Sequence, residues 1–240
     1  MGMNQSGANW LLIISGILGT LCILGLCAAA VFFAIERLEP STLGMADSAC
    51  PEIPTGWVMV ATDTFDVNVN RWPEWTDEDT YMEVNWRVSQ GEYQAEAYAR
   101  QGAVSMAYPM QWLVEDFYLS ADLQAEGAAD SYYGVVFHLT HYNRYFFAIS
   151  GTQEYTLFFY KNGWSQLLDW TESSAIQPGE VNRITVLGEG SHYTFCINGQ
   201  YVDDIYDDQK PKGYIGFMFG LENAEDEALF RFDNFELWTP

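Results

Sequence analysis

Cleaving a glycosidic bond takes two carboxyl groups, one serving as acid and the other as nucleophile or base. On a single strand they would stand an even number of residues apart, so as to share a face. The densest carboxylates of this chain are Glu74, Asp77, Glu78 and Asp79, and then Glu222, Glu225, Asp226 and Glu227. The first group sits in a polar Trp-Pro segment that reads as a loop, and the second lies near the last apolar run, so both read as solvated carboxylates. No Gly-x-Ser-x-Gly elbow occurs, which removes the usual serine-hydrolase arrangement. His138 and His141 are three apart, and on a strand that spacing sends them to opposite faces, against a shared zinc ion. Asp130, Asp203, Asp204, Asp207 and Asp208 are oxygen donors near expected strand ends. They could hold calcium, although none belongs to an EF-hand loop. No motif requires a cofactor.

The elements that must position these groups follow a period of two. Met82, Val84, Trp86 and Val88 alternate with Tyr81, Glu83, Asn85 and Arg87, and the pattern returns in Phe117, Leu119, Ala121 and Leu123 and in Ile215, Phe217 and Phe219. Each set is one face of a half-buried strand. Denser runs, Tyr133–Phe137 and Tyr145–Ile149, suit central strands. Asn162-Gly163 and Asn198-Gly199 each divide two such runs, Tyr155–Lys161 from Trp164–Trp170 and His192–Ile197 from Gln200–Ile205. Asn-Gly favours the type I′ turn of a hairpin. About a dozen short strands, with no helical period after residue 35, point to an all-β, antiparallel two-sheet jelly-roll sandwich.

Ahead of it the run from Trp10 to Ile35 contains no Asp, Glu, Lys or Arg. As a helix it would reach roughly 39 Å, enough for a hydrocarbon core of about 30 Å with some tilt. The expected organisation is a short tail over 1–9, one transmembrane helix over 10–35, a Pro-containing linker over 36–55 and a domain over 56–240. Ala28-Ala29-Ala30 offers a signal-peptidase alternative, but the tail lacks a basic n-region and the apolar run continues beyond those alanines. A short tail before a long β-rich domain is the layout of a signal anchor. That layout puts the protein in the cell membrane, spanning once, with a cytoplasmic N-terminus and an extracytoplasmic domain; the lone Arg37 near the anchor argues weakly for the reverse.

The formal charge is -23, all of it at or after Glu36. Such a field repels phosphate backbones, so nucleic acid is excluded as a partner, while divalent cations and basic partners are attracted. Cys22 and Cys27 fall in the anchor, leaving Cys50 and Cys196. Outside the cell these two could form a disulfide, or remain as two separate thiols.

A likeness to known proteins rests on the order of Trp86-Arg87-Val88-Ser89-Gln90-Gly91-Glu92-Tyr93, Phe117–Leu123, Tyr133–Phe137, Phe195–Gln200 and Phe232–Leu237. Taken together they resemble the concanavalin A-like lectin/glucanase superfamily, and within it the bacterial laminin-G-like and 3-keto-disaccharide-hydrolase-like domains. The resemblance implies two antiparallel sheets with one concave face for carbohydrate or protein recognition or, in some branches, glycoside hydrolysis, and calcium at the rim in some members. The Glu-x-Asp-x-(x)-Glu strand of the superfamily's glucanases is missing here. His138 stands where the related domains often carry an arginine.

A sugar- or peptide-binding face uses exposed aromatics with a few polar anchors. Val135, Phe137 and Leu139 share one strand face; with those in the core, His138 would look outward. Beside it, Tyr132, Tyr142, Arg144, Trp164 and Trp170 are the candidate ligand-binding residues, against the plainer reading of aromatics as core. The expected function is therefore a membrane-anchored, non-catalytic binding or assembly module for a glycan or an envelope protein. The alternatives are a glycoside-cleaving enzyme of the 3-keto-disaccharide hydrolase type and a structural subunit of a membrane complex.

Overall fold

Strict alternation obliges each strand to bury one side and leave the other free, so two sheets must meet face to face. The computed structural model describes residues 49–209 and 212–240. The tail, the spanning run and the linker as far as Ser48 lie outside the described residues, and no described helix is long and apolar enough to cross a membrane.

The strands are β1 (Val58–Asp63), β2 (Trp75–Glu78), β3 (Met82–Ser89), β4 (Glu92–Ala99), β5 (Ala103–Ala107), β6 (Phe117–Gly127), β7 (Tyr132–Leu139), β8 (Asn143–Ser150), β9 (Glu154–Lys161), β10 (Trp164–Glu172), β11 (Asn182–Glu189), β12 (His192–Ile197), β13 (Gln200–Tyr206), β14 (Tyr214–Leu221) and β15 (Glu227–Thr239). A nine-stranded sheet runs β13-β12-β11-β6-β15-β4-β3-β2, with β1 also on β15, and a six-stranded sheet runs β10-β9-β8-β7-β14-β5. Every pairing between these strands is antiparallel. This is the expected all-β sandwich.

Both Asn-Gly hairpins form, joining β9 to β10 and β12 to β13. At Asn198-Gly199 both residues have positive φ, 52° and 75°, as the type I′ turn requires. One segment departs from expectation. Residues 75–78, read as part of a loop, form edge strand β2 on β3. An edge strand has little to bury, so its charged Asp77 and Glu78 carry no alternation, and charge there also discourages pairing with another chain.

Aromatic rings fill the space between the sheets. Phe217 stacks on Phe232 at 4.3 Å, Phe219 on Phe230 at 4.3 Å and Phe147 on Phe195 at 4.5 Å, each pair joining one sheet to the other. Long strand β15 gives its first half to β4 and its last residues to β1. The chain between β1 and β2 enters beside that fork and buries Phe65 and Trp72. Buried Asp63 fixes it, accepting from the Phe65 amide at 2.9 Å, the Asn70 amide group at 2.8 Å and the Trp72 indole at 3.0 Å.

The packed chain reaches back beyond Gly56. Ala49 bridges to Gln200 on β13, and Cys50 is joined to Cys196 of β12 by a disulfide with Cα atoms 5.8 Å apart and a sequence separation of 146. A cross-link over so long a loop restricts the unfolded chain strongly. Replacing Cys50 by Ala should lower unfolding free energy by about 2–4 kcal/mol, read from urea midpoints. Reductant should produce the same loss in the parent protein and none in the variant; equal midpoints with and without the bond would contradict this.

Candidate functional site

The outer face of the six-stranded sheet is apolar where a solvated sheet face would be polar. Val136, Phe146, Ala148 and Met218 are buried there, with Met106, Tyr108, Tyr132, Phe158 and Tyr214 packed against them. These outward residues alternate with Val135, Phe147 and Phe217, which point into the core. The sheet is thus apolar on both sides, and its central strands read as unbroken hydrophobic runs for that reason.

Tyr132 lies directly across from Gly220 in the β7–β14 register. A Cβ at Gly220 would collide with the Tyr132 ring, so the glycine makes room for the ring to lie flat on the strand. From Tyr132 the rings continue to Phe146 at 6.0 Å, Phe158 at 6.1 Å and Trp170 at 5.9 Å. Trp170 also meets Phe158 edge-on at 6.0 Å. Burial raises the Tyr132 hydroxyl pKa to about 12, so it stays a neutral donor and acceptor. Further along β9, Tyr160 meets Trp164 edge-on at 5.1 Å.

Arg144 of β8 closes this row. Its guanidinium carbon lies 4.2 Å from the Tyr160 ring centre and 5.2 Å from that of Trp164, a cation–π arrangement. Partial burial pulls its pKa down from 12.5, which leaves it charged. Nε is buried with no hydrogen-bond acceptor among the described residues, at a cost of about 1–3 kcal/mol.

Four of the expected ligand-binding residues, Tyr132, Arg144, Trp164 and Trp170, therefore share one face. The other two do not belong to it. Tyr142 is exposed in the β7–β8 turn, its ring against His141 at 4.9 Å. His138, expected to look outward, is instead buried between the sheets. Its φ of 48° marks a bulge, where Phe137 and His138 together oppose one residue of β14 and the register shifts between Tyr214 and Gly216. The extra residue turns Phe137 and His138 both inward and sends Leu139 to the outer face. His138 Nε2 is 3.0 Å from the Tyr193 hydroxyl of β12, linking the two sheets. The alternation rule fails at this point because nothing in the residue types announces a bulge.

The expected calcium donors are dispersed. Asp130 is bonded to Asn223 at 2.6 Å. Asp203 accepts from the Tyr155 hydroxyl at 3.2 Å, Asp207 accepts from the Tyr145 hydroxyl at 3.0 Å, and Asp208 is exposed. Asp204 bonds to the Tyr201 hydroxyl and to His192 at 2.8 Å. Among the described residues no three His, Cys, Asp or Glu side chains are grouped to hold a metal ion.

The outer face of the nine-stranded sheet differs in chemistry. A groove of about 680 Å³ there is lined by residues that include Glu83, Asn85, Glu96, Tyr98 and Glu126. Glu83 is bound by Arg100 at 2.5 Å, Glu96 by Arg87 at 2.7 Å and Glu126 by Arg231 at 2.7 Å. These three carboxylates are poor candidates for general acid or base, and Glu227, the remaining acid of the lining, would stand alone where hydrolysis takes two, so the aromatic face is the stronger site.

Comparisons with known proteins agree on the fold. No family model matches the sequence, and no curated protein does. Among solved structures, a GlcNAcα1-4Gal-releasing endo-β-galactosidase from Clostridium perfringens has a TM-score of 0.57 at 10% identity, over 80% of this chain and 65% of that one. SCLam, a non-specific endo-β-1,3(4)-glucanase of family GH16, gives 0.56 at 10% identity, over 80% and 96%. A Bacillus subtilis protein of unknown function with a galectin-like fold gives 0.53 at 11%, over 75% and 95%. The chain has the concanavalin A-like jelly-roll fold that the sequence resemblance implied.

Two outcomes follow from this geometry. Gly220→Ala should destabilise the domain by about 1–3 kcal/mol through overpacking against Tyr132, and Gly220→Ala with Tyr132→Ala should recover part of the loss; strictly additive losses in denaturant titrations would contradict the contact. The second concerns acid. Hydrogen bonds from Tyr201 and His192 hold the Asp204 carboxyl below its ordinary value of 3.8. A depressed carboxyl stabilises above the unfolded value and loses that contribution as pH falls through the folded one. Amide protection factors in β12 and β13, corrected for the intrinsic exchange rate, should therefore fall below about pH 4, and Asp204→Asn should flatten that fall.

Proposed function

We propose that this protein is a membrane-anchored, extracytoplasmic glycan-binding module that works without hydrolysing its ligand. The observation that carries the reading is the continuous aromatic row on the outer face of the six-stranded sheet. Rings lying flat or edge-on along a sheet offer the stacking surface that pyranose rings use, and Arg144 supplies a polar anchor at its end. The structurally similar proteins include a GlcNAcα1-4Gal-releasing endo-β-galactosidase and an endo-β-1,3(4)-glucanase, which supports sugar over other ligands for this sandwich.

Binding without cleavage is supported by the composition of the face itself. Around Arg144 and Phe146 the outward positions Val136, Ala148, Phe158, Tyr160 and Met218 include no Asp or Glu, and the outward carboxylates Glu154 and Glu172 stand side by side at the far end from Arg144, whereas hydrolysis takes two carboxyl groups flanking the bond. The extracytoplasmic location is supported by the disulfide, which persists in oxidising compartments, and by the uncharged run from Trp10 to Ile35.

The test is a glycan array probed with the full chain in detergent, followed by titration of the best hits. Trp170→Ala, which interrupts the row, should weaken binding at least tenfold, since stacking contributes on the order of 1–3 kcal/mol per ring. The sugar should be recovered intact after long incubation. An array without hits, equal affinity for the Trp170 variant, or release of shortened sugars would each overturn the reading.

A further inference from the structure

This chain carries 33 acidic residues against 10 Lys and Arg, so most of its cations should find a carboxylate. Arg87, Arg100, Arg183, Lys212 and Arg231 do. Arg71 and Lys161 are exposed and form no ion pair among the described residues, but Arg144 is half-buried and still forms none: none of the ion pairs or hydrogen bonds among the described residues involves it, and its neighbours are the rings of Tyr160 and Trp164. In so acidic a protein, keeping an arginine away from every carboxylate takes a surface from which acidic side chains have been left out. Around Arg144 the outward positions Val136, Phe146, Phe158 and Tyr160 carry no acid, and the outward acids Glu154 of β9 and Glu172 of β10 lie at the far end of their strands.

We infer that Arg144 is a specificity residue for the carboxylate of a uronic acid, so that the aromatic face takes an acidic glycan with one charge per sugar ring. The inference rests on the glycan-binding reading above and narrows it. A guanidinium presents a planar fork that matches a carboxylate with two parallel hydrogen bonds. Tyr160 and Trp164 hold the plane of that fork, which spares a ligand part of the ordering cost. The surrounding acidity decides between anions. A densely sulfated or phosphorylated polymer would be repelled by the chain's charge of -23 more strongly than a uronate chain, which carries a single charge per ring, one of them met by Arg144. A ring stacked on Trp164 would bring its C5 carboxylate to the edge of the row, where Arg144 lies.

The experiment uses the full chain and hexamers of galacturonate, mannuronate and glucuronate, each beside the same hexamer with its carboxylates reduced to alcohols. Neutral hexamers of glucose and galactose are titrated in parallel. At least one uronate hexamer should bind roughly tenfold or more tightly than its reduced form, the scale of a charge-assisted hydrogen-bond pair. Arg144→Gln should bring the two within about twofold, Arg144→Lys should keep part of the preference because it retains charge without the fork, and added salt should shrink the preference. Thermal unfolding of both variants confirms that they are folded before binding is compared. Equal binding of charged and reduced hexamers, or a preference that survives in Arg144→Gln, would overturn this inference and leave sugar binding standing. Binding of no hexamer, charged or neutral, together with an empty glycan array, would overturn both.

Discussion

Everything outside the sandwich is arranged around the sheet of rings inside it. Phe217, Phe219, Phe230, Phe232, Phe147 and Phe195 are fully buried and stack across the gap between sheets. Rigid rings have few rotamers to lose, and each removes a large apolar area from water. Their dimensions set how far apart the sheets lie and hence which positions of every strand point outward. Even the polar features inside serve this layer. Asp63 gathers three N–H donors to seat Trp72 against Phe217 at 4.9 Å, and the Trp86 indole finds Ser105 on the opposite sheet at 2.9 Å.

With one side of each sheet committed, the remaining sides diverge. The nine-stranded sheet turns outward a lattice of ion pairs, among them Arg183 with Asp122 at 2.9 Å and Arg231 with Glu126 at 2.7 Å. Exposed pairs of this kind contribute little to stability, commonly under 1 kcal/mol each, but they keep the surface soluble and leave few charges free to act. The six-stranded sheet turns outward chiefly rings and aliphatic side chains, with Arg144 at one end. That asymmetry within one domain is what the proposed binding role rests on, because an apolar sheet face serves no solubility purpose.

Much of this was legible in the residues. The alternation over Met82–Val88 and Phe117–Leu123 placed strands with the right faces inward, and both Asn-Gly pairs marked hairpins, because pleat and turn chemistry are local. Tyr132, Arg144, Trp164 and Trp170, singled out by type and neighbourhood, do fall on one sheet face. The rest of the aromatic row was overlooked, although Tyr145–Ile149 carries apolar residues in both parities, which is what a sheet buried on each side requires. His138 could not be placed from sequence, since one residue in the left-handed region reverses every assignment after it. Edge strand β2 was hidden for a related reason: with nothing to bury, it has no pattern to show.

The disulfide also sets a route for mechanical load. Tension arriving along the chain ahead of Ala49 would pass at Cys50 through the sulfur bridge to Cys196, and from there towards Pro240. The residues between those cysteines, among them every strand of the six-stranded sheet except β14, hang outside that line as a closed loop. A domain held by its N-terminal side and pulled from its C-terminal side would thus bear force along β12 and its successors, while the strands inside the loop stay slack on the covalent path.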